Sequence, residues 1–181
     1  MSKVVDAAGF IIDMINAQEE GEITNLAINK LLYFAQGLSL AKTGKPLFDN
    51  QIEAWKNGPV IQKIFHEFKK YNADAIPTQE YNIDSLTEDE QDILLETIAI
   101  YGKYSASHLV SLTHAPSTPW KNHYEGTKNT PIPQEEIKDY FIKNEKLKFY
   151  NEKKVIAADI DKQGRVLLPV EVEEAWGAYD V

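Results

Sequence analysis

The sequence predicts a mainly α fold: a compact multi-helix domain around a buried central helix, with a short C-terminal β-hairpin. Three observations carry this. Residues 24–42 form a helix that is apolar round most of its circumference. Several further segments repeat apolar residues at helical spacing between Gly and Pro breaks. After about residue 150 the pattern changes to short extended runs flanking a polar turn.

Val4, Val5, Ala8, Ile11, Ile12 and Ile15 recur at helical spacing, so residues 3–19 read as an amphipathic helix ended by Gly21. Thr24 is a candidate N-cap for the central helix, whose inner face is Ile28, Leu31, Leu32, Ala35 and Leu38. Leu26, Tyr33, Phe34, Gly37, Leu40 and Ala41 cover most of what remains, leaving a narrow polar stripe of Asn25, Asn29 and Gln36. Such a helix is buried on several sides. Lys30 is a charge on this mostly apolar cylinder and is expected to snorkel or to find a carboxylate. Gly44 suits the position just past the helix, and Pro46 prevents its continuation.

Residues 46–55 read as a turn through Asp49 and Asn50 and then a short extended segment carrying Trp55. Asn57-Gly58-Pro59 is a break, with Pro59 suited to the first position of a helix whose inner face is Val60, Ile61, Ile64, Phe65 and Phe68. Residues 72–85 read as a loop with a short extended piece near Tyr81 to Ile83. Thr87 to Glu90 fits a capping box, and Ile93, Leu94, Ile98 and Tyr101 give the helix it opens a buried stripe. A shorter helix runs through His108, Leu109 and Leu112 until Pro116. Thr118-Pro119-Trp120 opens another turn of helix, residues 126–133 connect, and residues 134–147 form a last helix on Ile137, Phe141 and Ile142. In the tail, residues 155–160 and 166–168 flank Asp161-Lys162-Gln163-Gly164 as a β-hairpin, and Pro169 starts a short helix through Trp176. An isolated hairpin is marginal in water, so it must pack on the domain or on a partner. The expected division is a helical domain over 1–150 and an extension over 151–181.

The blocks KLLYFAQG, PLFDNQIEAWKNGPV and LTHAPSTPW, in that order, resemble the Panacea domain, also called the SocA-type antitoxin or GepA-like phage-associated domain. The likeness covers roughly residues 5–145. Lys30, Leu31, Leu32, Tyr33, Pro46, Leu47, Ala54, Trp55, Gly58, Pro59, Thr113, His114, Pro119 and Trp120 match the family pattern. The resemblance implies a small cytoplasmic antitoxin that neutralises a toxin encoded beside it. Its alternative implication is a proteolytic adaptor that delivers the toxin to a ClpXP-type protease.

Composition agrees with a soluble intracellular protein of one domain plus an appendage. The 181 residues are 43% hydrophobic, there is no cysteine to form a disulfide or thiol metal site, and no apolar run is long enough to span a membrane. The net charge of −9 is uneven: residues 72–100 hold eight acidic and no basic residues. Part of that run has a structural cause, because acids at a helix front are favoured by the macrodipole; the rest is a solvated loop or a steering surface for a basic toxin. An acidic chain is poorly suited to holding phosphates, so direct nucleic-acid binding is disfavoured. The tail resembles locally the DxxGRxxxP signature of AbrB-like DNA-binding hairpins, but Glu171, Glu173 and Glu174 stand where a basic surface is needed.

Enzyme motifs are lacking: there is no HExxH pair, phosphate loop, GxSxG or Cys nucleophile, and a small-molecule enzyme is the weakest reading. His108, His114 and His123 are imidazoles that zinc accepts, but their spacing matches no common site, so neither a metal nor a cofactor is expected. Lys30, Tyr33, Trp55, Gly58, Pro59, His114, Pro119 and Trp120 are read as structural, with His114 bonded to backbone or a polar neighbour and both Trp rings in the core. Apolar tail residues without a home in the domain, Val155, Ile160, Val166, Leu168 and Trp176, are the expected toxin-binding set.

Overall fold

The central helix α2 spans Asn25–Thr43, and every residue from Ala27 to Leu40 is buried. It starts where the Thr24 hydroxyl accepts from the Ala27 amide and stops at Gly44, which takes the left-handed φ of 72°. Around it, in a computed structural model that describes residues 2–126 and 129–143, pack α1 (Lys3–Asn16), α3 (Gln62–Phe68), α4 (Glu88–Tyr101), α5 (Ala106–His114) and α7 (Gln134–Lys143). The short helix α6 (Pro119–His123) sits against α5 and α7. The described chain is therefore mainly α. Strands β1 (Glu53–Trp55), β2 (Gly58–Val60) and β3 (Thr130–Pro131) form a small antiparallel sheet in the order β2-β1-β3, with Ala54 opposite both Pro59 and Thr130.

The polar stripe of α2 is what shapes the segments that wrap it. Gln36 is fully buried; its Oε1 accepts from the amides of Leu47 and Phe48, and its Nε2 donates to the Phe48 carbonyl. Asn29 accepts from the Ile61 amide and donates to Asn25, which in turn donates to the Phe65 carbonyl. These bonds satisfy groups that burial would otherwise penalise, and they pin residues 47–65 to the helix.

Local signals held where they were local. Thr87 and Glu90 form the reciprocal capping box, and Thr118 caps α6 with Pro119 at its start. Three expectations are corrected. Pro59 lies in β2, not at a helix start; β2 is an edge strand, where a missing N–H is tolerated, and α3 begins only at Gln62. The first helix ends at Asn16 rather than near 19, because Glu20 already has a φ of 59° and the chain folds back so that Gly21 meets the Ile15 carbonyl. The piece expected to be extended at 81–83 gives way to a 3-10 turn at Ile83–Ser85, held by the buried Asp6 carboxylate, which accepts from the Asn82 amide and the Ser85 hydroxyl. The acidic run is divided: Glu96 is buried and paired with Lys42, Glu90 pairs with Lys3 at 2.7 Å, and Asp74, Glu80, Asp84, Glu88, Asp89 and Asp92 are exposed. The expected hairpin, the helix from Pro169 and residues 144–147 of the last helix lie outside the described residues.

The α2–α7 contact depends on a missing side chain. A Cβ on Gly37 would lie 2.4 Å from the Phe141 ring, which is itself held between Tyr33 and Phe34 at centroid distances of 5.7 and 6.2 Å. Overpacking of this kind costs about 1–3 kcal/mol, so Gly37→Ala should lower the denaturant midpoint by a corresponding amount without changing the slope. A midpoint equal to that of the natural chain would show that Phe141 gives way freely.

Candidate functional site

Four segments far apart in sequence meet at the N-terminal part of α2. Lys30 comes from α2, Trp55 to Pro59 from the β1–β2 hairpin, Thr113 and His114 from the end of α5, and Thr118 to Trp120 from α6. Gly58 lets them close. With a φ of 98° it presents bare backbone to Lys30 and Thr113, and a Cβ there would come within 2.7 Å of both Lys30 Cε and Thr113 Oγ1. The Trp120 indole N–H donates to the Trp55 carbonyl at 2.7 Å, and Thr118 Oγ1 donates to the Thr113 carbonyl at 2.7 Å. The hairpin, α5 and α6 are thereby tied into one unit.

Lys30 neither snorkels nor finds a carboxylate. It is 0% exposed, and its Nζ donates to the Pro59 carbonyl at 2.7 Å. No described carboxylate pairs with it. Burial lowers its pKa from 10.5 to about 7, since removing an ammonium from water disfavours the charged form. His114 also departs from expectation: rather than bonding to a polar neighbour, its ring stacks on Trp120 at 3.7 Å and 3°, and its buried Nε2 has no hydrogen-bond partner among the described residues. Burial first, then the charges of Lys30 and Lys121, lower its pKa below 6.5.

The two tryptophans differ. Trp120 is core, 3% exposed and stacked between His114 and Tyr124. Trp55 is only half-buried: its indole N–H donates to Glu53 and its ring leans on Phe65 at 4.9 Å. These two rings wall a pocket of about 250 Å³ whose lining also includes Lys30, Lys56, Asn57 and Asn72. Sequence reasoning missed Lys56, Asn57, Phe65 and Asn72 as a group; their only common signal was nearness to the two chain breaks. Tyr33 is not part of the cluster. It packs on Phe34 and Phe141, and burial raises its phenol well above the usual range. Pro119 opens α6 and also lines a second cavity of about 670 Å³ with Ser117, Asn122, Glu136 and Tyr140.

The histidines considered for zinc are engaged separately: His108 stacks on Tyr104, and His123 pairs with Glu136 at 2.5 Å. Among the described residues no group of three or more His, Asp or Glu could hold a metal ion, and no helix is long and apolar enough to cross a membrane. Val155, Ile160, Val166, Leu168 and Trp176 lie outside the described residues.

The family model "Antitoxin SocA-like, Panacea domain" matches residues 28–121, a range that holds the whole cluster from Lys30 to Trp120 and stops before α7. Antitoxin SocA of Caulobacter vibrioides is 36% identical over 109 residues, which is 54% of this chain and 58% of that protein. The chain thus spans little more than half the length of that relative. No solved structure matches.

The buried amine of Lys30 makes stability depend on pH with a definite sign. Unfolded, it keeps its proton up to about 10.5; folded, it loses it above about 7. Between these values the unfolded chain binds more protons, so stability rises with pH, and below about 7 this slope vanishes. The contribution is at most about 1.4 kcal/mol per pH unit. Thermal unfolding across this window should show the rise in the natural chain and not in Lys30→Met; equal slopes in both would mean that Lys30 stays charged in the fold.

Proposed function

Because the chain belongs to the SocA-like antitoxin family of Panacea domains, we propose that it is a cytoplasmic antitoxin that neutralises a cognate toxin encoded beside it by binding that toxin directly. The observation that carries this reading is the family match itself, since it falls on the residues that build the Lys30–Trp120 cluster. The character of the cluster supports complementarity rather than turnover. The Lys30 amine, the Thr118 hydroxyl and the Trp120 indole N–H each donate to a backbone carbonyl, of Pro59, Thr113 and Trp55, and the His114 ring, whose buried Nε2 has no partner among the described residues, lies flat on the Trp120 indole. What the arrangement offers outward is a shaped surface with a half-open aromatic pocket.

The division into a helical domain over 1–150 and an extension over 151–181 is part of the same proposal. The domain supplies a fixed scaffold, and the extension carries the apolar residues Val155, Ile160, Val166, Leu168 and Trp176 as the main toxin contact.

The neighbouring gene, expressed with and without this chain, should arrest growth alone and not in the pair, and the two proteins should elute together. Deleting residues 152–181 should leave the helical circular-dichroism spectrum intact and abolish rescue. Rescue that survives the deletion would remove the tail as the main contact. Rescue accompanied by loss of the toxin from cells, with no stable complex, would replace direct occlusion by delivery to a ClpXP-type protease.

A further inference from the structure

Lys30 places a basic amine in the interior of a protein whose net charge is −9, yet no described carboxylate answers it. Glu53, the buried acid of β1, is already committed, accepting from the Trp55 indole and from Gln62. An ammonium has three N–H donors, and one hydrogen bond to a carbonyl leaves the charge uncompensated. The pocket beside it continues the pattern. Two lysines, Lys30 and Lys56, and four asparagines, Asn25, Asn29, Asn57 and Asn72, line it, and no described carboxylate does. Asn25 and Asn29 are consumed by the network on α2. Lys56, Asn57 and Asn72 are exposed, and their side chains have no partner among the described residues. A mouth of free donors therefore stands in front of a buried cation, with Trp55 and Phe65 as an apolar wall.

We propose that this pocket is a carboxylate site that takes one acidic side chain presented by the bound toxin. Its methylenes lie along Trp55 and Phe65, and its carboxylate accepts from Lys56 and the Asn57 and Asn72 amides. Lys30 has no exposed surface, so it acts from behind the pocket wall, where a low dielectric strengthens attraction at range. The volume of about 250 Å³ suits a single side chain and is below that of ordinary small-molecule sites. An acid seated there would supply the counter-charge that no described residue provides and keep Lys30 protonated near neutral pH. The source of the carboxylate rests on the antitoxin reading; the chemistry of the pocket does not.

The test separates the two. The full chain is titrated with N-acetyl-glutamate methylamide and with its glutamine counterpart, following the Trp55 indole N–H and the Asn57 and Asn72 side-chain amides by NMR. Saturable shifts are expected with the acid alone, weakened roughly tenfold or more in Lys30→Met and in Asn57→Asp, which places a like charge at the exposed rim and leaves the core intact. Both variants should also weaken co-elution with the toxin. No shift at tens of millimolar, equal shifts with both probes, or shifts unchanged in both variants would overturn the site, even where the toxin co-elutes. Binding that appears only after Glu171→Gln, Glu173→Gln and Glu174→Gln are combined would overturn the toxin as the source and assign the carboxylate to the chain's own tail.

Discussion

A helix buried from Ala27 to Leu40 can carry polar side chains only if each finds a partner inside the protein, and that requirement organises much of what surrounds α2. Gln36 takes residues 47 and 48, Asn29 takes Ile61, Asn25 takes Phe65 and Lys30 takes Pro59. All of these partners are main-chain groups of the segment that follows the helix. Between Pro46 and Ile61 the only regular structure is the pair of short strands β1 and β2, so the path of this connection is set by side chains of α2 as much as by its own sequence. Truncating Gln36 or Asn29 would leave buried amides and carbonyls unsatisfied as well as remove contacts.

The Lys30 cluster is the same principle under greater stress. Gly58 brings backbone so close to the lysine stem and to Thr113 that no side chain fits, and the hairpin then delivers the Pro59 carbonyl to the amine. One hydrogen bond does not compensate a buried ammonium, and the consequence is an amine near the edge of ionisation at neutral pH. Burial first, and then the neighbouring lysines, lower the His114 pKa, which favours the neutral ring and its flat packing on Trp120. Two aromatic residues and a lysine far from them in the chain thus share one electrostatic environment.

Charge is sorted in space as well as in sequence. The acids of residues 72–100 either cap α4, pair with Lys3 and Lys42, or stand exposed, while the pocket at the β1–β2 hairpin collects lysine and asparagine. A strongly acidic protein with a locally cationic recess is a surface that discriminates among acidic partners by shape, because only a group small enough to enter reaches the favourable field.

The sequence alone determined that the main helices exist and where several of them start, because those signals are local. Thr24 with Gly44, Thr87 with Glu90, and Thr118 with Pro119 each bound a helix through bonds spanning a few residues, and the apolar periods between them are complete in themselves. It also marked α2 as the most buried element, and the family blocks carried the residues of the cluster. Tertiary structure decided everything that needed a partner remote in sequence. Pro59 satisfies the rules for a helix start and for an edge strand equally, and pairing with Ala54 settled the matter. The charge on Lys30 suggested a carboxylate, but the backbone approach at Gly58 put a carbonyl there instead. The pocket was invisible because its residues come from α2, the hairpin, α3 and the turn at Asn72, and no spacing along one chain records how four segments converge.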